Sequence, residues 1–168
     1  MSTLQWSDSL ALDIPFMDDT HREFVDLLAV VVNASDDDLL AAWKTLIEHT
    51  DDHFGREDQW MQNTRFSSGN CHAMQHKVIL QVMREGAKRG LDGELAVVRQ
   101  MANELGIWFP QHAQTMDAAL ALHLRGVGYD PVTGIVHAPQ ALPAEEIHGC
   151  GGATCSDNDT TQAAELVS

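Results

Sequence analysis

The 168-residue chain predicts an all-α fold: an antiparallel up-down-up-down four-helix bundle with a non-helical C-terminal extension. Three observations lead there. Apolar residues recur in steps of three and four along four long stretches, which is the helical period and not the alternation of a strand. Short polar or glycine-containing breaks separate the stretches, so consecutive helices must run antiparallel. The helical period stops near Gly126, which divides the chain into a bundle over residues 1–125 and an extension over 126–168.

The first helix is predicted over 18–33, with His21, Phe24, Val25, Leu28, Val31 and Val32 on one face. Asp18 and Asp19 suit its start, where unpaired amides and the positive dipole end favour carboxylates. Ser35 and the aspartates at 36–38 open the second helix, over 37–63, in the same way. Its inner stripe runs Leu39, Trp43, Leu46, Thr50, His53, Glu57, Met61. SSGN at 67–70 breaks the pattern before a third helix over 70–88, which carries His72, His76, Ile79, Leu80 and Met83. Gly90 and Gly93 bracket a turn. The fourth helix, over 93–125, lines up Leu95, Val98, Met101, Leu105, Trp108, His112, Met116, Ala119 and His123. Beyond it, GYDPVTGIV predicts a small hairpin about its DPVTG turn, and from about Ala138 the chain reads as irregular.

Composition narrows the function classes. A net charge of −15, from 25 acidic and 10 basic residues, argues against nucleic acid or an anionic membrane as partner. No apolar run approaches the ~20 residues that span a bilayer. The start, MSTLQWSDSLALDIPFMDD, lacks the basic opening of a secretory signal, so a cytoplasmic protein is expected. Three cysteines are too few for a disulfide framework. Cys71 is assigned no role. Cys150 and Cys155 in HGCGGATC are expected to be free thiols, the alternatives being a reversible disulfide or a soft-metal site.

Histidines on the inner faces carry the chemistry. Every predicted bundle helix supplies at least one: His21, then His53, then His72 and His76, then His112, joined by the carboxylates Glu57 and Asp117. An apolar interior has no use for five imidazoles and two carboxylates, because an unpartnered buried charge is expensive. A metal would repay them. Imidazole with carboxylate and no thiolate suits iron, manganese or zinc. Seven ligands exceed the four that zinc normally takes and fit two octahedral ions, so a histidine-rich dinuclear iron site is predicted. His49 is set aside because Glu57 stands at one-turn spacing from His53, not from His49. His123 is read as a packing or helix-end residue. His112 and Asp117 pose a difficulty: five α-helical residues place them about 140° apart. Either long reach or a locally widened turn must bring them together, and Pro110 upstream is expected to kink the helix and help aim the pair.

A lone His, then His-x-x-x-Glu, His-x-x-x-His and His-x-x-x-x-Asp, in that order on four helices, resembles the hemerythrins, and the single-domain bacterial members most. The resemblance covers roughly residues 4–125, including LQWSDSLALDIPFMDDTH. It implies that His72, His76 and His112 hold one iron and His21 and His53 the other. Glu57, Asp117 and an oxo or hydroxo group would bridge them. It further implies reversible O2 binding at the iron with two histidines, and an aromatic wall of the oxygen pocket at Trp108, for which core packing is the alternative reading. Phe24, Phe54 and Phe109 are read as core first. The expected function is a non-enzymatic O2 carrier, store, delivery protein or sensor, monomeric or homo-oligomeric. A di-iron enzyme (peroxidase, oxidase or nitric oxide reduction) and an iron-handling protein are the alternatives.

Overall fold

The computed structural model describes residues 3–66 and 71–145. Over these the protein is a four-helix bundle with α1 at Pro15–Asn33, α2 at Asp36–Asn63, α3 at Cys71–Leu91 and α4 at Leu95–His112. A π-helical turn, Ala113–Asp117, joins α4 to α5 at Ala118–Gly126, so the fourth rod is one helix with a widened turn inside it. Each helix packs on the next in chain order, and α4 closes the ring against α1. No helix among the described residues is long and apolar enough to cross a membrane.

The helix ends follow from their residues. α1 starts three residues before the predicted boundary because Pro15 takes its first turn, where a missing N–H costs nothing. Asp18 is turned back: its Oδ1 accepts from the Leu12 amide at 2.7 Å and fastens the N-terminal segment to the helix. Ser35 caps α2 as expected, its Oγ accepting from the Asp38 amide at 3.2 Å. The α3–α4 turn differs from the sequence reading. Gly90 lies inside the last turn of α3, and only Gly93, at φ +94°, serves the turn. Gly90 is there for packing: a Cβ on it would stand 2.4 Å from Leu40 Cδ2 and 3.0 Å from Val98 Cγ2.

Two apolar clusters fill the bundle. One gathers Phe24, Leu28, Val31, Trp43, Met83, Val98 and Phe109, with the Trp43 indole N–H donating to the Met83 carbonyl at 3.0 Å. The other, toward the opposite end, gathers Met17, Trp60, Met61, Phe66, Leu120 and Leu124. On α1 and α2 the polar residues of interest fall between the residues of these two clusters, His21 between Met17 and Phe24 and His53 and Glu57 between Leu46 and Trp60. The chain after α5 covers the second cluster with Val127 and Tyr129, and Asn63 donates to the Tyr129 hydroxyl at 2.9 Å. The predicted hairpin is reduced to one antiparallel bridge, Tyr129 with Val136, around a turn in which the Gly134 amide donates to the Asp130 carbonyl. Cys71, to which the sequence assigns no role, is disulfide-bonded. The SSGN break at 67–70, Cys150, Cys155 and the rest of the tail expected to be irregular lie outside the described residues.

Candidate metal centre

All seven side chains singled out in the sequence meet in one polar layer, and none is more than 2% exposed. They form two overlapping groups: His72, His76 and His112 with Glu57 and Asp117, and His21 and His53 with the same two carboxylates. Glu57 turns Oε1 to His53 Nε2 at 3.0 Å and Oε2 to His72 and His76 Nε2, both at 3.4 Å. Asp117 turns Oδ2 to His21 Nε2 at 3.2 Å and Oδ1 to His72 and His112 Nε2, both at 3.0 Å. Each carboxylate therefore offers one oxygen to each group.

The widened turn resolves the spacing problem of the fourth helix. In an α-helix Asp117 would lie about 140° around from His112. The Ala113–Asp117 turn is wound with i→i+5 geometry, so five residues complete close to one circuit and both side chains enter the same layer. Of the two solutions the sequence leaves open, local widening is the one observed. Pro110 lies just upstream, inside α4.

Whether these residues suit a metal can be judged from their unsatisfied atoms. His21 Nε2, His72 Nε2, Glu57 Oε2 and both Asp117 oxygens are buried yet lack a correctly directed hydrogen bond. These atoms converge on one another without forming well-directed hydrogen bonds. His76 and His112 make the case sharper. His76 Nδ1 donates to Asp58 Oδ1 at 2.9 Å, and His112 Nδ1 donates to Gln75 Oε1 at 3.0 Å. With Nδ1 donating outward in each ring, Nε2 is the atom each ring turns into the layer, and the two Nε2 atoms stand 3.3 Å apart. A cation could take both nitrogens as ligands. The donor set, all imidazole and carboxylate, suits a first-row metal.

Protonation in the metal-free cluster follows the same geometry. Burial disfavours a charged His21, but Asp117 and Glu57 override it and push its pKa up to about 10. The same contest ends at about 9 for His72. At His76, burial is outweighed by Asp58 and Glu57, and the pKa rises. His53 goes the other way, because its burial outweighs the pull of Glu57. Glu57 and Asp117 sit well below the ordinary carboxylate range: burial opposes ionisation, and the surrounding imidazoles more than compensate.

The neighbouring residues sort themselves by contact. His49 joins neither group; its Nε2 faces Glu23 at 3.2 Å. His123 Nε2 donates to the Thr64 carbonyl at 2.9 Å and its ring packs on Phe66, a structural tie near the helix end. Trp108 stacks on His112 with ring centroids 4.4 Å apart, which puts it on the three-histidine side. The rings nearest the two-histidine group are Phe109, edge-on to His21 at 5.2 Å, and Phe54, 5.3 Å from His53, with Phe24 stacked on Phe109. Sequence reasoning misses Asp58 and Gln75. Neither falls on an inner stripe, and only the approach of α2, α3 and α4 shows that they reach a ring nitrogen.

The fold and this layer define a class: a four-helix bundle whose helices jointly build a buried layer of histidines and carboxylates that could hold a cation. The chain belongs to the hemerythrin family, since the family model described as the hemerythrin HHE cation binding domain matches residues 12–122. It is also 36% identical over 130 residues to the bacteriohemerythrin of Ralstonia nicotianae (strain ATCC BAA-1114 / GMI1000), a match covering 77% of this chain and 95% of that protein. No solved structure matches the chain.

Proposed function

We propose that this protein is a non-haem di-iron protein that binds O2 reversibly, as a carrier, store or delivery protein. The observation that carries the reading is the pair of overlapping groups, three histidines and two histidines, sharing Glu57 and Asp117. In this reading His72, His76 and His112 hold one iron, His21 and His53 the other, and Glu57 and Asp117 span both. Two ferrous ions so placed would supply the two electrons that O2 uptake takes up and its release gives back.

The chain's own part is to keep the two ions unequal. Three imidazoles and two carboxylates would nearly complete the coordination of one ion, while the other, with one fewer imidazole, would keep a position for a small ligand. Phe109 and the stacked Phe24 line the two-histidine side with hydrocarbon, and Phe54 stands between His53 and His76. Such a wall excludes water and favours release of an intact ligand over its consumption, which supports binding over turnover. Full burial of His21 and His53 works in the same direction.

The test is an optical titration of the iron-loaded, reduced protein with O2, followed by argon. A visible band that grows with O2 and disappears under argon over repeated cycles is expected. Irreversible oxidation with continued O2 consumption would replace the carrier reading by an oxidase or peroxidase.

A further inference from the structure

The two histidine groups differ in what stands behind their rings. On the three-histidine side, His76 Nδ1 donates to the Asp58 carboxylate at 2.9 Å, and His112 Nδ1 donates to the Gln75 amide oxygen. The Nδ1 atoms of His72, on that same side, and of His21 and His53, on the two-histidine side, are buried and have no hydrogen-bond partner. Asp58 follows Glu57 directly on α2, but its side chain leaves the polar layer, passes to the flank of α3 and stays 30% exposed.

We infer that Asp58 is a positioning residue for the three-histidine ion, an inference that rests on the metal reading above. A carboxylate can only accept, so its bond to Nδ1 selects the tautomer whose Nε2 is a free lone pair. The same bond holds the ring's orientation: His76 stacks flat on Phe54, centroids 3.9 Å apart at 7°, and Asp58 fixes its remaining in-plane rotation. Negative charge drawn toward Nδ1–H also makes the imidazole a stronger donor at Nε2. Gln75 does the orienting part of this for His112 without a full charge. Two of the three imidazoles on the three-histidine side, His76 and His112, are thereby pre-set for a metal, whereas neither imidazole on the two-histidine side has such support. The asymmetry that opens one ion to a small ligand thus extends to the residues behind the ligands.

The experiment compares the wild type with Asp58→Asn, Asp58→Ala and Asp52→Asn in the full chain. Asp58→Asn keeps an acceptor oxygen and removes the charge; Asp58→Ala removes both. Asp52→Asn removes the same charge from an exposed site on the same helix. Anaerobic Co(II) titration, read by the metal's visible absorption, gives the affinity of each of two ions. Metal-free melting curves check folding, and the midpoint potential of the iron-loaded protein provides a second readout. Asp58→Ala is expected to weaken one ion about 10- to 100-fold, the usual range for losing such a partner, and the other less than about twofold. Asp58→Asn should fall between Asp58→Ala and wild type, both Asp58 variants should raise the potential, and Asp52→Asn should match wild type. Unchanged affinities in both Asp58 variants, equal weakening of both ions, or an Asp52→Asn effect as large as that of Asp58→Asn would overturn the inference. Two-ion binding by the wild type checks the underlying metal reading separately, because Asp58 is judged only on differences between variants.

Discussion

Asp117 Oδ1 stands 3.0 Å from His112 Nε2, although five residues separate them on one helical rod. The π-helical turn at 113–117 makes this approach, and it acts as a one-residue insertion that leaves the rest of the rod in register. Deleting exposed Gln114 should therefore be tolerated. The spacing becomes four residues, an α-helix turns about 400° over four residues, and Asp117 returns to within about 40° of His112. The deletion gives up the hydrogen bond that the Gln114 amide donates to the Ser9 carbonyl at the protein surface, where water can replace it. The deletion variant should load as many metal ions per chain as wild type, counted by metal analysis after desalting. Loss of loading in a folded variant would mean that the wide turn itself shapes the site.

The sharing of carboxylates makes ligand substitutions separable by stoichiometry. His53 belongs to one group only, so His53→Ala should leave about one ion per chain. Glu57 faces both groups with different oxygens, so Glu57→Ala should weaken both ions. Iron per chain after anaerobic loading distinguishes the two. A His53→Ala protein that still holds two ions would remove that residue from the site.

How much of this was legible in the sequence depends on the length scale of each signal. The four helices and the inward set of histidines repeat at the helical period, so they stand out over windows of fifteen residues or more. The start of α1 rests on a single residue, Pro15, and is easily placed a turn late. Gly90 looks like turn punctuation because it lies three residues from Gly93; that it faces Leu40 and Val98 is a tertiary fact. Asp58 carries no periodic signal, and beside Glu57 it reads as one more surface acid in a chain of net charge −15. The wide turn is half-legible: the His112–Asp117 spacing announces that something must give, without saying what.

The glycines give a stability prediction with opposite signs. Gly55 lies mid-way along α2 with open space where a Cβ would go. Gly55→Ala should stabilise the bundle by about 0.5–1 kcal/mol through lower backbone entropy in the unfolded chain. Gly90→Ala gains a similar helix preference but drives a Cβ against Leu40 and the fully buried Val98. Overpacking of that kind costs about 1–3 kcal/mol, so the net effect should be destabilising. Urea denaturation of both variants under identical metal conditions provides the comparison; a stabilised Gly90→Ala would mean that α3 has room to move off α2 and α4.

Metal loading should expel protons, because His21 and His72 hold pKa values of about 10 and about 9 in the metal-free cluster. Both rings are protonated at pH 7.5, yet a ligand imidazole must offer a bare nitrogen. His53, whose burial keeps it below its ordinary value, brings no proton to displace. About two protons per chain should therefore leave from His21 and His72 when the site fills at pH 7.5 in weak buffer, read with an indicator dye. Linkage fixes the direction of the accompanying stability change. Both groups titrate above their ordinary 6.5 in the folded state, so their stabilising contribution is complete below about pH 6.5 and is lost as pH rises through about 9 to 10. The metal-free protein should accordingly melt at lower temperature at pH 10 than at pH 7, while apparent metal affinity rises over the same interval. Proton release near zero at pH 7.5 would show that the two carboxylates hold neutral imidazoles in the empty cluster.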